Sequence, residues 1–568
     1  VNASAPSTSS FPEHRVSLRV LLATAAMLCL FYALLWSPWW YPLSDSALYL
    51  NMARALARGK GFASLRQMHR DVRPMTPLLL FAIMKLRGGI GAMHAVMIAL
   101  TLLSHALAFL TLRRWFNDRL ALLATIATAT SWWVYANAFT IMTEPLFLVM
   151  VWGAFLALSF VPANSRQRQW MLVFTAALLM AGAWENRVAA ALLLPGMIFG
   201  LWMTNRDVVR RTRLGWVAVF AIVFAILIWD YRRPAPGVAM AEARQETYHL
   251  NFFVGMHHPL IELPASAGRW ISESLAAPSG TVFDGVSRRA LPLSIALQVA
   301  IFLLACVGWR ERWRGKHWYA AGMAMYFVPI VIQWGARIKP RYMNPLVPVL
   351  FIQLCLGCMW VWGRISTKDR SGHHAPLRSV APLVLAVLLL LNLGAYGVEF
   401  YIRHLTPLNF YDVARRGAFA ELIDIGAYVE SHAAIDAVIA VNWPPPSSRP
   451  PEANFAPDRR IVQFLCDREV AFANADSPPE LPKDLSDRAG LYRFLNQVSG
   501  DWAIVYYDGN HWPSYHWPLV KSAPQQGVLR WWQLFHRNHA TNQWDLINPP
   551  PQRDGVRDIP GLNRGWTS

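Results

Sequence analysis

Four short segments carry ionisable side chains where a long apolar run begins or ends. Asp45 stands in Pro42-Leu-Ser-Asp-Ser-Ala-Leu-Tyr49, just after the first apolar run, with Tyr49 one helical turn further on. Glu144 stands in Met142-Thr-Glu-Pro-Leu-Phe147 at the head of another run, and Glu185 and Arg187 stand in Trp184-Glu-Asn-Arg187 between two more. Arg337, Lys339, Arg341 and Tyr342 open the segment Arg337-Ile-Lys-Pro-Arg-Tyr-Met-Asn-Pro345. Charged groups beside lipid are costly to keep and are functional candidates by default. A carboxylate there can act as a general base, and guanidinium groups can grip a phosphate with two parallel hydrogen bonds. Each segment also has a structural reading. Asp45 and Glu144 suit the first turn of a helix, where the dipole favours negative charge. Ser44 and Thr143 are the candidate caps. Glu185 and Arg187 could pair with each other, and the three cations could reach lipid headgroups.

Other signatures are missing. The chain has no H-E-x-x-H, Walker loop, G-x-S-x-G or Asp-x-Asp. His257-His258 is too small a set for a metal. Cys355-x-x-Cys358 lies inside an apolar run and reads as small-residue packing, and a lone Cys466 in the polar tail cannot staple it.

The elements that must position these residues are membrane helices. Of 568 residues, 55% are hydrophobic and 15% charged, and mean hydropathy is +0.26. So few charges cannot keep a soluble surface wet or a disordered chain solvated. The 27 Trp residues fit interfacial belts. About eleven apolar segments are long enough to span. They are 17–40, 92–112, 120–139, 144–161, 170–183, 188–204, 214–230, 291–309, 317–334, 342–364 and 380–401. The run Pro77–Met84 is shorter and reads as re-entrant or interfacial. Residues 44–61 predict one amphipathic helix lying in the interface, with Leu48, Met52, Ala55 and Leu56 as its apolar stripe and Gly59 or Gly61 as its stop.

The formal net charge of +19 would suggest nucleic acid in a soluble protein. Here it follows from loop placement, and no nucleic-acid partner is inferred. With the N-terminus in the cytoplasm, the inner loops hold Arg113, Arg114 and Arg119; Arg166 and Arg168; Arg206, Arg210, Arg211 and Arg213; Arg310, Arg312, Arg314 and Lys316; and Arg364, Lys368 and Arg370. All are basic, as the positive-inside rule requires. Residues 41–91, 231–290 and the tail then lie outside. Trp36, Trp39, Trp40 and Tyr41 mark one outer helix end, and Trp132, Trp133 and Tyr135 another.

The expected organisation is a disordered cytoplasmic N-terminus (1–16), a membrane core (17–402) and an extracytoplasmic α/β domain (403–568). In the last, 410–431 and 488–498 read as helices, and 436–441, 460–464 and 502–507 as strands. The fold class is mainly α, a polytopic helical membrane protein with that α/β domain appended.

Together the segments resemble the GT-C superfamily of integral-membrane glycosyltransferases, in the branch of the protein O-mannosyltransferases and the lipid A aminoarabinose transferase. The resemblance rests on Asp45 after the first span, the following Tyr49 and the helix Ala-Arg-Ala-Leu-Ala-Arg-Gly-Lys-Gly-Phe62. It extends to Thr143-Glu-Pro-Leu-Phe147, to Arg187 at a hairpin tip and to Arg341-Tyr-x-x-Pro-x-x-Pro348. It covers roughly 20–401. It implies a sugar donor carried on a polyprenyl phosphate and inverting transfer to a lipid, glycan or protein acceptor. The setting implied is the outer face of a bacterial inner (plasma) membrane, with membrane lipids as neighbours. In that reading Asp45 is the general base, with Glu144 a second catalytic candidate. Arg341, with Lys339 or Arg187, binds the donor phosphate. Tyr49 and Tyr342 are further candidates. Many members carry two adjacent acids in the first loop. Here Ser46 follows Asp45, and Asp71 is the candidate second acid, which leaves a divalent metal ion open. The competing reading is a transporter or flippase of lipid-linked sugars, although such proteins place charges near the midplane and show repeated halves.

Overall fold

A computed structural model describes residues 16–34, 44–61, 73–138, 140–232, 263–276, 278–314, 317–327, 340–365, 375–400 and 418–434. It also describes 437–441, 469–472, 500–506, 532–541 and 543–547, with the short pieces 36, 63–64, 67–68, 330, 462, 465–466 and 495. The chain divides into two compact units. One comprises Val1–Trp36, Arg70–Thr76 and Ala95–Glu399; the other comprises Ser37–His69, Pro77–His94 and Phe400–Ser568.

The first unit is helical. Four helices are long and apolar enough to cross a membrane, with cores at Ile90–Trp115, Gly285–Trp313, Arg341–Trp362 and Val380–Gly397. The protein is therefore membrane-embedded, and the larger count of spans stays an expectation. Other apolar runs form shorter helices, among them Leu18–Ala33, Glu144–Ser159 and Leu194–Thr204. The run at 120–139 is not one helix. It breaks at Thr130 into Asp118–Ala129 and Trp132–Ala138. Backbone carbonyls at such a break need partners in a dry interior. Asn392 donates to the carbonyls of Thr130 and Leu275, each at 3.1 Å, and the Ser131 hydroxyl donates to the Ser274 carbonyl at 2.5 Å. The helix Leu263–Leu275, which apolar-run counting misses, ends at this knot. The helix Pro278–Arg314 kinks at Ala290, and Arg312 is buried within it against the Val349 carbonyl, so it is no loop cation.

Packing is close. Gly196 and Gly322 meet where Leu194–Thr204 crosses Trp318–Ala324, and a Cβ on either would fall about 2 Å from the other's carbonyl oxygen. Such contact of backbones is how small residues hold helices together where no hydrophobic effect operates between them. Trp115 stacks on Tyr319 at 5.8 Å and meets Phe155 edge-on at 5.5 Å.

Tyr32 ties the first helix to the core. Its hydroxyl donates to the Ala129 carbonyl at 2.8 Å, so its oxygen must accept from His105 Nε2 at 3.0 Å. Tyr135 is fully buried in the same aromatic cluster, a core residue and not a headgroup anchor. Tyr32→Phe leaves a buried carbonyl and imidazole unpaired, an expected cost of about 1–3 kcal/mol. A thermal melt in detergent with an unchanged midpoint would show that the hydroxyl holds nothing.

In the second unit, Ser44–Ala57 is a helix, and Gly59 ends it at φ +72°, with Gly59 and Lys60 N–H groups bonding back to the Leu56 and Ala55 carbonyls. The helix does not lie on a surface with one wet face. Ser46, Ala47, Leu50, Asn51, Ala53 and Arg54 are buried along with Leu48, Met52 and Ala55. The same unit holds a five-stranded sheet, ordered Glu469–Phe472, Val438–Val441, Trp502–Tyr506, Trp532–Asn538, Gln543–Ile547. The first three strands are parallel and the last three antiparallel. The helix of the tail is Ala418–His432. Of the strand expected at 460–464 only Val462 is among the described residues, and it is not in a strand. Val462 is helical there, and Val462, Leu465 and Cys466 are buried at the i, i+3, i+4 spacing of a helix face, while the strand forms at Glu469–Phe472. Of the helix expected at 488–498, all but Leu495 lies outside the described residues.

Candidate active site

Glu144 begins its helix with Pro145 behind it, the position a proline tolerates because its missing N–H would be unbonded anyway. Glu144 is 1% exposed. Thr143 makes no side-chain cap and instead directs its hydroxyl to Glu144 Oε2 at 3.4 Å. Arg187 follows the helix Arg166–Asn186, where the backbone turns extended at φ −158°, ψ 123°. That turn throws its guanidinium across to Glu144, and Nη1 is hydrogen-bonded to Oε1. Arg341 lies in the tight turn Pro340–Leu346, with Nε 3.8 Å from the same Glu144 oxygen.

Tyr342 completes the group. The Arg187 guanidinium lies 4.5 Å from its ring centroid and the Arg341 guanidinium 5.6 Å. A tyrosine face attracts such cations by its quadrupole. The Tyr342 carbonyl accepts from the Tyr326 hydroxyl at 3.1 Å. Two arginines thus share one buried carboxylate and one ring, so these three side chains sum to one positive charge. The planar fork of a guanidinium suits a phosphate group.

Glu185 and Arg187 do not pair with each other. Glu185 Oε1 lies 3.7 Å from Arg73 Nη1, whose guanidinium also sits 4.8 Å from the Trp184 ring centroid. Asn186, between them, accepts from the Thr76 hydroxyl at 2.6 Å and donates to the Thr143 carbonyl at 2.7 Å. Sequence reading singled out neither Arg73 nor Asn186. The only signal was their closeness in sequence to Asp71 and Arg187.

Asp45 and Tyr49 lie in the second unit, half-buried one turn apart on the helix Ser44–Ala57, whose other residues up to Ala55 are mostly buried. Asp71, Lys339 and His257-His258 lie outside the described residues. Among the described residues no three His, Cys, Asp or Glu side chains gather as a metal site would require. The Glu144 oxygens already serve Arg187 and Thr143. Cys355 and Cys358 are free thiols.

The helical architecture has solved counterparts. The Archaeoglobus fulgidus oligosaccharyltransferase, crystallised with Zn and sulfate, aligns over 85% of this chain and 68% of its own, with a TM-score of 0.51 at 10% identity. This chain has the GT-C fold. A second structure, archaeal oligosaccharyltransferase AglB from A. fulgidus with an inhibitory peptide and a dolichol-phosphate, matches the GT-C fold equally, at a TM-score of 0.51 and 10% identity over 85% of this chain and 69% of that one. ArnT from Cupriavidus metallidurans bound to undecaprenyl phosphate aligns over 86% of this chain and 94% of its own at a TM-score of 0.48 and 12% identity. No protein-family model matches the chain, and a search of curated proteins finds no sequence relative.

Proposed function

We propose that this protein is a membrane glycosyltransferase that takes its sugar from a polyprenyl-phosphate donor and passes it to a lipid, glycan or protein acceptor at the outer face of a bacterial inner membrane. The observation that carries the reading is the convergence of Glu144, Arg187 and Arg341, three of the side chains singled out by sequence, around one carboxylate oxygen in a membrane-embedded chain. A scaffold protein has no need to gather them.

In this reading the acceptor hydroxyl or amine attacks the anomeric carbon, and the bond from that carbon to the phosphate oxygen breaks. Attack from the side opposite the leaving group inverts the centre. The departing polyprenyl phosphate gains charge, which Arg341 and Arg187 meet with preorganised donors. Lys339 would add a further cation. The Asp45 carboxylate takes the acceptor proton. Glu144 holds the arginines in place, a positioning task and not that of a base, because its charge is engaged by two guanidiniums. Tyr342 supplies the platform on which both arginines rest, and the second unit's mixed sheet serves acceptor choice.

The decisive measurement offers the purified protein, in nanodiscs, a panel of radiolabelled polyprenyl-phosphate sugars. Release or transfer of label from at least one of them is expected. Movement of the intact donor across a proteoliposome bilayer without cleavage would replace this reading with a flippase.

A further inference from the structure

We infer that Asn186 is a positioning residue whose side-chain amide clamps the segment Arg73–Thr76 to the turn at Thr143 and thereby fixes the Glu144–Arg187–Arg341 cluster. The inference rests on the proposal that this cluster receives the donor phosphate.

Asn186 is buried, and it is the last residue of the helix Arg166–Asn186. Its amide is oriented by chemistry. The Thr143 carbonyl can only accept, so Nδ2 must face it, at 2.7 Å, and Oδ1 then takes the Thr76 hydroxyl at 2.6 Å. That same Thr143 carbonyl accepts the Phe147 N–H at 3.1 Å, the first bond of the helix that carries Glu144. Asn186 and Arg187 are adjacent, and so are Thr143 and Glu144. Two parallel links one residue apart therefore join the same two backbones, the amide–carbonyl bond beside the guanidinium–carboxylate pair.

The Arg73–Thr76 segment is held twice from this tip, at Arg73 by Glu185 and Trp184 and at Thr76 by Asn186. A shift of the tip would move Arg187 and the loop segment together. Among amide and carboxylate side chains of this length, only asparagine supplies an acceptor and a donor at neutral pH. Leucine keeps the shape and supplies neither. Aspartate keeps the acceptor but turns a second oxygen on the Thr143 carbonyl, and it becomes a donor only when protonated.

That asymmetry gives a readout that packing alone would not move. Undecaprenyl phosphate is titrated onto the full chain in nanodiscs, with wild type, Asn186→Leu and Asn186→Asp measured from about pH 8 to about pH 5, where a buried carboxyl takes up its proton. Asn186→Leu is expected to weaken binding on the order of tenfold at all pH values, the scale of one displaced hydrogen bond to a charged group. Asn186→Asp should bind as poorly at the upper end and recover as pH falls. The wild-type profile accounts for Glu144, Arg187 and Arg341 of the cluster and for the Arg73–Glu185 pair at the tip. Thr76→Val should reproduce part of the loss and Thr76→Ser restore it. Wild-type affinity in Asn186→Leu, or a deficit in Asn186→Asp that ignores pH, would overturn the inference. If wild type itself binds no lipid phosphate, the donor reading falls separately, and unfolding midpoints decide the clamp. Shifts of Asn186→Leu and Glu144→Gln that combine non-additively support it, and additive shifts refute it.

Discussion

Asp45→Asn is expected to reduce turnover by about 10²–10⁴-fold while expression and lipid-phosphate binding stay near wild type. The change keeps shape and hydrogen-bonding reach and removes the charge and the basicity. It also separates the two roles open to this residue. Asp45 sits in the first turn of the helix Ser44–Ala57, where a carboxylate answers the helix dipole for about 0.3–1 kcal/mol. Asparagine retains most of what a helix start needs, so a structural Asp45 predicts a small stability change and ordinary turnover. A base predicts the reverse. The surroundings favour the second outcome. Ser46 through Leu48 and Leu50 through Ala55 are buried, whereas Asp45 and Tyr49 are half-buried on one side of the helix. Steady-state kinetics on the donor that the nanodisc panel identifies would check it. Near wild-type turnover would move the base elsewhere, to Asp71 first, since Glu144 is engaged by arginines.

How much of this could be read in the sequence differs between elements for physical reasons. Apolar runs announce helices because lipid and core demand the same composition, so the helices at Ile90–Trp115 and Glu144–Ser159 were legible. The break at Thr130 was not, because the groups that satisfy its carbonyl come from Asn392, 262 positions away. Glu144, Arg187 and Arg341 were legible as candidates, since each is a charge at the edge of an apolar run. Their pairing was not. Glu185 and Arg187 look like partners two residues apart, but such neighbours do not face each other on a helix, and the backbone turns extended after Asn186. Each finds its opposite charge across the fold, Glu185 at Arg73 and Arg187 at Glu144. Thr143 read as a cap and in fact serves its neighbour's carboxylate and, through its carbonyl, Asn186. Long-range polar contacts of this kind depend on which helices meet, which local pattern does not encode. Strand spacing misled at Val462 for the related reason that a short apolar run fits either period until its neighbours are known.

Arg341 and Arg187 touch the same oxygen yet should fail differently when changed. Arg187 is hydrogen-bonded to Glu144 and lies against Tyr342, so removing it strands a buried carboxylate, and losses of about 3–5 kcal/mol follow from breaking such pairs. Arg187→Ala is thus expected to lower stability as well as activity. Arg341 lies farther from Glu144, at 3.8 Å, and its side chain is more exposed, at 18%. Glu144 keeps Arg187 when Arg341 is lost. Arg341→Ala should therefore fold, and its expected defect is functional, a loss of about 10²–10³-fold in turnover with weakened donor binding, the scale of removing one preorganised donor from a developing anion. Arg341→Lys returns the charge but not the fork, so it should recover only part of the loss. Titration of undecaprenyl phosphate, thermal melts and turnover on the three variants together would test the split. Wild-type kinetics in both Arg341 variants, with intact melts, would make Arg341 a headgroup anchor and leave Arg187 to carry the phosphate alone.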